Sequence, residues 1–369
     1  MLAMFVITFG PFGSWLQNGV SALIDLFSGW LDGTLTAAGV SPVLISLVCD
    51  GIIAGVGGVL SFLPQIALLF FFLSFLEDIG YMSRAAFIMD RLLRRFGLSG
   101  KAFIPMLMGF GCTVPAVMSA RSMNNQRDRR FTILLTPFMS CGAKVPIYAL
   151  FTRAFFGGHQ VLVMSAFYLT GVAVSIVVGL ILKHTAFHGD AAPFIMELPA
   201  YHAPSAGNVL RATWERGWSF IKRAGTVILL SAILMWFLQG FGFTEAGFGM
   251  VEDSDHSLLA AIGSAIAVIF VPLGFGDWRS TVATFTGLVA KENVVATFGV
   301  LFQYTGEISE AGEEIWPQIH AAFTPIAAYS FMIFNLLCAP CFAAMGAIKR
   351  EMNNTKWTLA AIGYMLSLI

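Results

Sequence analysis

Between Met108 and Ser122 the chain reads MGFGCTVPAVMSARS, and between Asn335 and Arg350 it reads NLLCAPCFAAMGAIKR. Each stretch sets a thiol near a proline, among small residues, with a basic residue at its far end, and each interrupts apolar sequence. Proline has no N–H to give to a helix, so the carbonyl it would have served is left free. At membrane depth such irregular backbone is tolerated only where it is buried in protein or lines a watery cavity. A soft thiol beside free carbonyls suits the passage of a metal cation, and no covalent catalysis is implied.

Cys112 and Cys341 are therefore the leading candidates. Cys338 stands three positions before Cys341, in a CxxC spacing used for zinc or redox chemistry, but Pro340 and apolar flanks weaken that reading. Cys141, in TPFMSCGAKVPIY, lies between Pro137 and Pro146 in another distorted stretch. Cys49 carries little signal, because a free cysteine is often only a small buried hydrophobe. In FFFLSFLEDIGYMSRAAFIMDR, Glu77 and Asp78 end a strongly apolar run, and Arg84 follows Glu77 by about two helical turns. These carboxylates read either as a structural ion pair at a helix end or as cation-handling groups. Lys291 and Glu292 fall in the middle of STVATFTGLVAKENVVATFGVLF, adjacent and so pointing in different directions, which no single internal partner neutralises. Methionines 106, 108, 118, 123 and 139 offer thioethers but read first as filler, and His184, His188 and His202 read as surface groups. HExxH and a Ser-His-Asp arrangement are not legible, and GVGGVLSF lacks the GK[ST] of a phosphate loop, so its glycines read as close-packing positions.

The elements that position these groups belong to a membrane protein. Of 369 residues, 57% are hydrophobic and only 11% charged, 35 are Phe, and the mean hydropathy is +0.79. Soluble domains carry about a quarter charged residues, so most of this surface faces lipid. Twenty-one basic and 21 acidic residues give a formal charge of zero, which excludes a nucleic-acid footprint. The fold class is all-α, a polytopic helical membrane protein with two related gating segments containing broken or re-entrant helices. Spans are expected at about 1–27 (interrupted at Gly10-Pro11), 43–63, 65–83, 131–151, 160–182, 224–238, 258–275, 280–302, 321–346 and 357–369. Basic groups flank 102–120 on both sides, from Arg84 to Lys101 and from Arg121 to Arg130, so by the positive-inside rule this segment dips in and returns. Acidic loops, Glu245 to Asp255 and Glu307 to Glu314, alternate with basic ones, and NVLRATWERGWSFIKR suits a helix at the cytoplasmic interface. The expected organisation is a first membrane half, 1–182, with a gate around 102–151; a cytoplasmic or interfacial connector, 183–223; and a second half, 224–369, with a gate around 321–350.

The chain resembles the membrane permease part of the ferrous iron transporter B family. The matching stretches are DGIIAGVGGVLSFLPQIALLFFFLSFLEDIGYMSRAAFIMDRL, MGFGCTVPAVMSARSMNNQRDRRFTILLTPFMSCGAKVPIYALF, MELPAYHAP, WERGWSFIKRAGTVIL, AKENVVATFG and CAPCFAAMGAIKREM, in order over residues 50–352. The resemblance implies that the first-gate cysteine falls on Cys112 and the second on Cys341. The carboxylates after the aromatic run fall on Glu77 and Asp78, and the late charged pair on Lys291 and Glu292. It implies iron(II) as transported substrate, a bacterial inner-membrane location as a multi-pass protein, a GTP-binding domain and a small cytoplasmic accessory protein as partners, and allows a homo-oligomer. GxxxxGK[ST] is not found in this sequence, so GTP is expected only on a separate or missing domain, this chain is expected to be no enzyme and to hold no cofactor, and it reads as a permease fragment or one product of a split gene.

The candidate metal-handling set is thus Cys112, Cys341, Cys338, Cys141, Glu77, Asp78 and Glu292. The alternatives are a permease for another divalent metal, such as Mn or Zn, or for a nucleoside-like solute, and a non-transporting scaffold that recruits a GTPase through its basic loops.

Overall fold

A computed structural model describes residues 4, 7–8, 10–123, 125–187, 201–244, 247–251, 257–302 and 312–367. Most of MELPAYHAP and the acidic residues Glu245, Glu252, Asp253, Asp255, Glu307 and Glu310 lie outside the described residues. The described chain is helical except for one antiparallel hairpin, β1 (Phe241–Thr244) with β2 (Gly247–Met250), which the all-α reading did not include.

The first half contains α1 (Pro11–Ala37), begun by a proline in its first turn and running past the expected end at residue 27. A short α2 (Pro42–Ser46), a wide turn at Leu47–Ile53 and α3 (Ala54–Ser61) follow. Gly57 lets α3 close on α1, since a β-carbon there would meet Ile24 at 2.7 Å. Next come α4 (Leu63–Asp78) and α5 (Tyr81–Leu93), bent by 80° at Gly80, whose φ of 82° favours glycine. That bend separates Glu77 from Arg84, so they share no helix face. Arg84 instead donates to the Gly80 carbonyl and lies 3.6 Å from the centre of the Tyr201 ring.

Segment 102–120 forms two seven-residue helices, α6 (Phe103–Gly109) and α7 (Thr113–Ser119), packed against each other. Seven residues rise about 10 Å, far short of the ~30 Å hydrocarbon core, so the pair enters and returns. The run Gln126–Phe155 contains α8 (Gln126–Leu135) and α9 (Val145–Phe155), separated by extended backbone at Met139–Cys141. Then α10 (Gln160–Thr185) crosses as one apolar helix with most of its surface turned outward.

The expected division at residue 223 falls inside a single helix. α11 (Ala206–Gly240) runs 35 residues without a break, joining the expected interfacial helix to the expected span at 224–238. Its interior contains no proline, and its polar first half extends past the apolar part rather than turning along the interface. It packs along α4.

In the second half α12 (Leu258–Ala267) continues as a tight turn to Leu273 and meets α13 (Trp278–Val289) at 96°. Gly274, with φ of 86°, makes the corner, and Asp277 caps α13 by accepting from the Ser280 N–H. The expected span at 280–302 is broken: α13 ends at Val289, Ala290 is extended, and α14 (Asn293–Leu301) begins after Lys291 and Glu292. α15 (Trp316–Ala322) precedes α16 (Pro325–Leu337), which Thr324 caps. Cys338 to Cys341 are extended, and α17 (Phe342–Met352) and α18 (Thr355–Ser367) close the chain.

Among the described residues three runs are long and apolar enough to cross a membrane, Gln126–Phe155, Gln160–Thr185 and Pro325–Met352, or up to five if each bent pair counts as one. Lipid tails give helices no hydrophobic reason to associate, so packing must hold them. Phe151 supplies it at the centre, with ring centres 5.0 Å from Phe323 and 5.1 Å from Phe331, tying α9 to α16. The basic loops gather at one end. Arg121 pairs with Glu351, Arg127 donates to the Phe187 carbonyl at 2.6 Å, and Lys183 donates to the Arg95 carbonyl at 3.2 Å. The positive-inside rule assigns that end to the cytoplasm.

Candidate functional site: a cavity where four chain breaks meet

All four interruptions of the helical chain around the bundle centre face one cavity of about 80 Å3. Its wall takes Gly111–Val114 from the α6–α7 turn and Cys141–Lys144 from the α8–α9 break. Val289–Glu292 come from the α13–α14 break, Pro340, Cys341 and Ala343 from the α16–α17 break, and Gln65, Ile66 and Leu69 of α4 close it. That volume suits a few waters or one partly hydrated ion.

The two halves are built alike here. Cys112 precedes the first turn of α7 and Cys341 the first turn of α17, each with extended ψ, and α7 packs against α17. The first two breaks are joined through backbone: the Gly142 N–H donates to the Gly111 carbonyl at 3.0 Å. Gly111 permits the approach of α4, since a β-carbon there would stand 2.3 Å from Leu69, which is buried. α10 comes equally close behind, at Gly171, where a β-carbon would meet the Phe138 carbonyl at 2.6 Å.

The structure thus brings Cys112, Cys141, Cys341 and Glu292 to one wall. They line it without forming a cage: among the described residues no three His, Cys, Asp or Glu side chains come together as a group able to hold a metal ion. Cys338 is placed behind the wall. It is 2% exposed, and its sulfur accepts from the Lys291 ammonium at 2.8 Å. Glu77 and Asp78 lie away from this cavity. Glu77 pairs with Arg216 at 2.7 Å, and Asp78 accepts from the Ser205 N–H at 2.7 Å. Glu77 does line a second, larger cavity of about 460 Å3 toward the basic end, with Lys101, Arg121, Arg216, Met108 and Met118; Val114 borders both cavities.

Two wall residues escaped the sequence reading. Gln65 is a polar group in an apolar helix just after Pro64, and Lys144 is a lysine between Pro137 and Pro146; both are buried. The signal was present in each case as a polar residue at membrane depth beside a proline.

Comparison with known proteins places this architecture. A family model described as Gate, nucleoside recognition, matches residues 59–155 and 221–355, which include all four breaks. A second, the ferrous iron transport protein B C terminus, matches residues 164–216. The chain belongs to the Gate family, in its ferrous iron transporter B branch. An Fe(2+) transporter FeoB of Staphylococcus aureus strain COL is 41% identical over 373 residues, covering 99% of this chain and 54% of that protein. The Fe(2+) transporter FeoB of Methanocaldococcus jannaschii is 42% identical over 352 residues, covering 94% and 52%. An Fe(2+) transport protein A/Fe(2+) transporter FeoB fusion protein of Porphyromonas gingivalis is 35% identical over 412 residues, covering 100% and 48%. The chain therefore spans about half the length of these relatives. No solved structure matches it. In this Gate chain the helical membrane fold and the broken segments agree with the sequence reading.

Proposed function

We propose that this Gate chain is the permease part of a GTP-dependent iron(II) uptake system in a bacterial inner membrane. The observation that carries the reading is the convergence of Cys112, Cys141, Cys341 and Glu292 on one small cavity at the meeting of four chain breaks. Iron(II) accepts sulfur, nitrogen and oxygen donors, so thiolates, a carboxylate and freed carbonyls can replace its water. A thiol must lose its proton to bind a metal, so passage is linked to proton release. Among the described residues no three of these ligands gather into a chelating group, which favours weak successive binding and exit over storage. The ion leaves past Val114 into the larger cavity at the basic end, where Glu77 offers a further carboxylate.

A GTP-binding domain supplies hydrolysis, and a small cytoplasmic accessory protein is a further partner; a homo-oligomer is compatible with the exposed apolar surface. Residues 1–182 and 224–369 act as the two membrane halves, with gates around 102–151 and 321–350, and 183–223 connect them, the connector running into the second half through the continuous α11. The test is anaerobic, reducing proteoliposomes containing the full transporter, reading iron(II) entry against Mn²⁺ and Zn²⁺. Iron(II) influx lost in Cys112→Ser and Cys341→Ser supports the path; normal influx in both removes it. Faster entry of Zn²⁺ or Mn²⁺ reassigns the cargo, and no metal movement by the intact system leaves a scaffold role.

A further inference from the structure

Two ammonium groups sit where a cation path would need room for a cation. Lys144 and Lys291 are each 2% exposed, and both line the central cavity. A buried charge at membrane depth is costly unless compensated, and carboxylates are the usual compensation. Among the described residues neither lysine forms an ion pair with Asp or Glu. Both instead reach the same place, the broken carboxyl end of α16. The Lys144 ammonium donates to the Leu336 carbonyl at 2.9 Å and to the Pro137 carbonyl at 3.5 Å. The Lys291 ammonium donates to the Asn335 side-chain oxygen at 3.3 Å and to the Cys338 sulfur at 2.8 Å.

These acceptors form the kind of set that binds a bare cation. Helix carboxyl ends leave carbonyls unpaired and carry partial negative charge. In transporters, unwound carbonyls and half-helix ends coordinate alkali ions. An ammonium takes the same oxygen acceptors at similar distances as potassium does. The two lysines come from different breaks, α8–α9 and α13–α14, so each half of the molecule supplies one.

We infer that Lys144 and Lys291 are specificity-determining residues, resident cations that occupy the acceptors at the end of α16 and so deny them to sodium and potassium. Their positive charge sets a threshold on the cavity: a monovalent ion meets repulsion with no ligand strong enough to offset it. A divalent ion is held by thiolates and Glu292, which bind it far more strongly. This inference rests on the reading of the cavity as a cation path.

The test uses the full transporter in proteoliposomes, with Lys291→Gln and Lys144→Gln singly and together, and Lys→Arg at both positions. Glutamine keeps a hydrogen-bonding end, one bond shorter, and removes the charge. Two quantities are read: rubidium entry, and inhibition of iron(II) entry by potassium. The glutamine variants are expected to admit rubidium about tenfold faster or more, equivalent to about 1.4 kcal/mol of barrier, or to become potassium-inhibited. The arginine variants are expected to show neither change. Glutamine variants that elute as the wild type does and gain neither property overturn the inference. So does an equal gain in the arginine variants, which would trace the leak to disturbed packing rather than lost charge. If the wild type carries no iron(II), the path reading fails on that count alone, while rubidium entry still decides the role of the lysines.

Discussion

The two Cys-bearing breaks place their thiols alike and are anchored differently. At the first, α6 and α7 have seven residues each, and the turn between them is fixed by backbone, the Gly142 N–H on the Gly111 carbonyl. At the second, α16 and α17 have 13 and 11 residues, and the end of α16 and the start of the extended link, Leu336 and Cys338, are held by lysine side chains from elsewhere in the chain. A backbone contact under a close-packed glycine has one geometry. Long side chains with several acceptors have more, so the second break is the one able to reset its position while the first serves as a fixed rim.

The largest effect expected is on transport. Cys112→Ser and Cys341→Ser each lower iron(II) influx by about tenfold or more, the scale of removing one good ligand interaction of ~1.4 kcal/mol. Cys338→Ser, behind the wall, lowers it less, and an equal loss would erase the distinction between wall and backing. Second, Gly111→Ala drives a β-carbon against Leu69 and costs about 1–3 kcal/mol as overpacking, read as a lower melting temperature in detergent. The second-break residue Ala339, which is 2% exposed, already carries a β-carbon, and Ala339→Gly lowers melting by less; the reverse order would show the first rim to be the yielding one. Third, Arg121 binds Glu351 through two nitrogens, tying the loop after α7 to the end of α17, and Glu351 is 5% exposed. Arg121→Ala strands that carboxylate and costs about 1–3 kcal/mol, less than a fully buried pair because the arginine is partly solvated. A double-mutant cycle with Glu351→Gln measures how tightly the two return helices move together. Last, Glu77→Gln breaks an exposed pair with Arg216 and costs under about 1 kcal/mol. Iron(II) influx falls by less than in the cysteine variants, and a loss as deep as theirs would move the narrowest part of the path to the larger cavity.

The thiol-bearing breaks were legible because prolines and glycines mark irregular backbone wherever they stand. The re-entrant course of 102–120 was legible from arginines on both flanks. The break at Ala290 was not, since AKEN holds neither glycine nor proline; only the charged pair hinted that the helix could not stay regular there. The separation of Cys338 from Cys341 was hidden for a different reason. Three-residue spacing puts side chains on one face only in a helix, and these residues are extended. Glu77 and Arg84 were misjudged through the same assumption, because the corner at Gly80 removes the shared axis. The continuity of α11 is not legible, because a change from polar to apolar composition reads as a boundary, whereas a helix backbone runs on until something stops it.

That helix has a mechanical consequence. Thirty-five residues make a rod of about 52 Å, some 20 Å longer than the hydrocarbon core. One part of it grips the end of α4 through Arg216 on Ser74 and Glu77, and the far part contacts the Leu47 turn region through Trp236 on Ser46 and carries the hairpin. A rod does not absorb displacement as a jointed segment does. A tilt of about 5° applied at the basic end moves the opposite end by roughly 4–5 Å, more than a water diameter, so displacement of the basic end is carried along the rod to the hairpin.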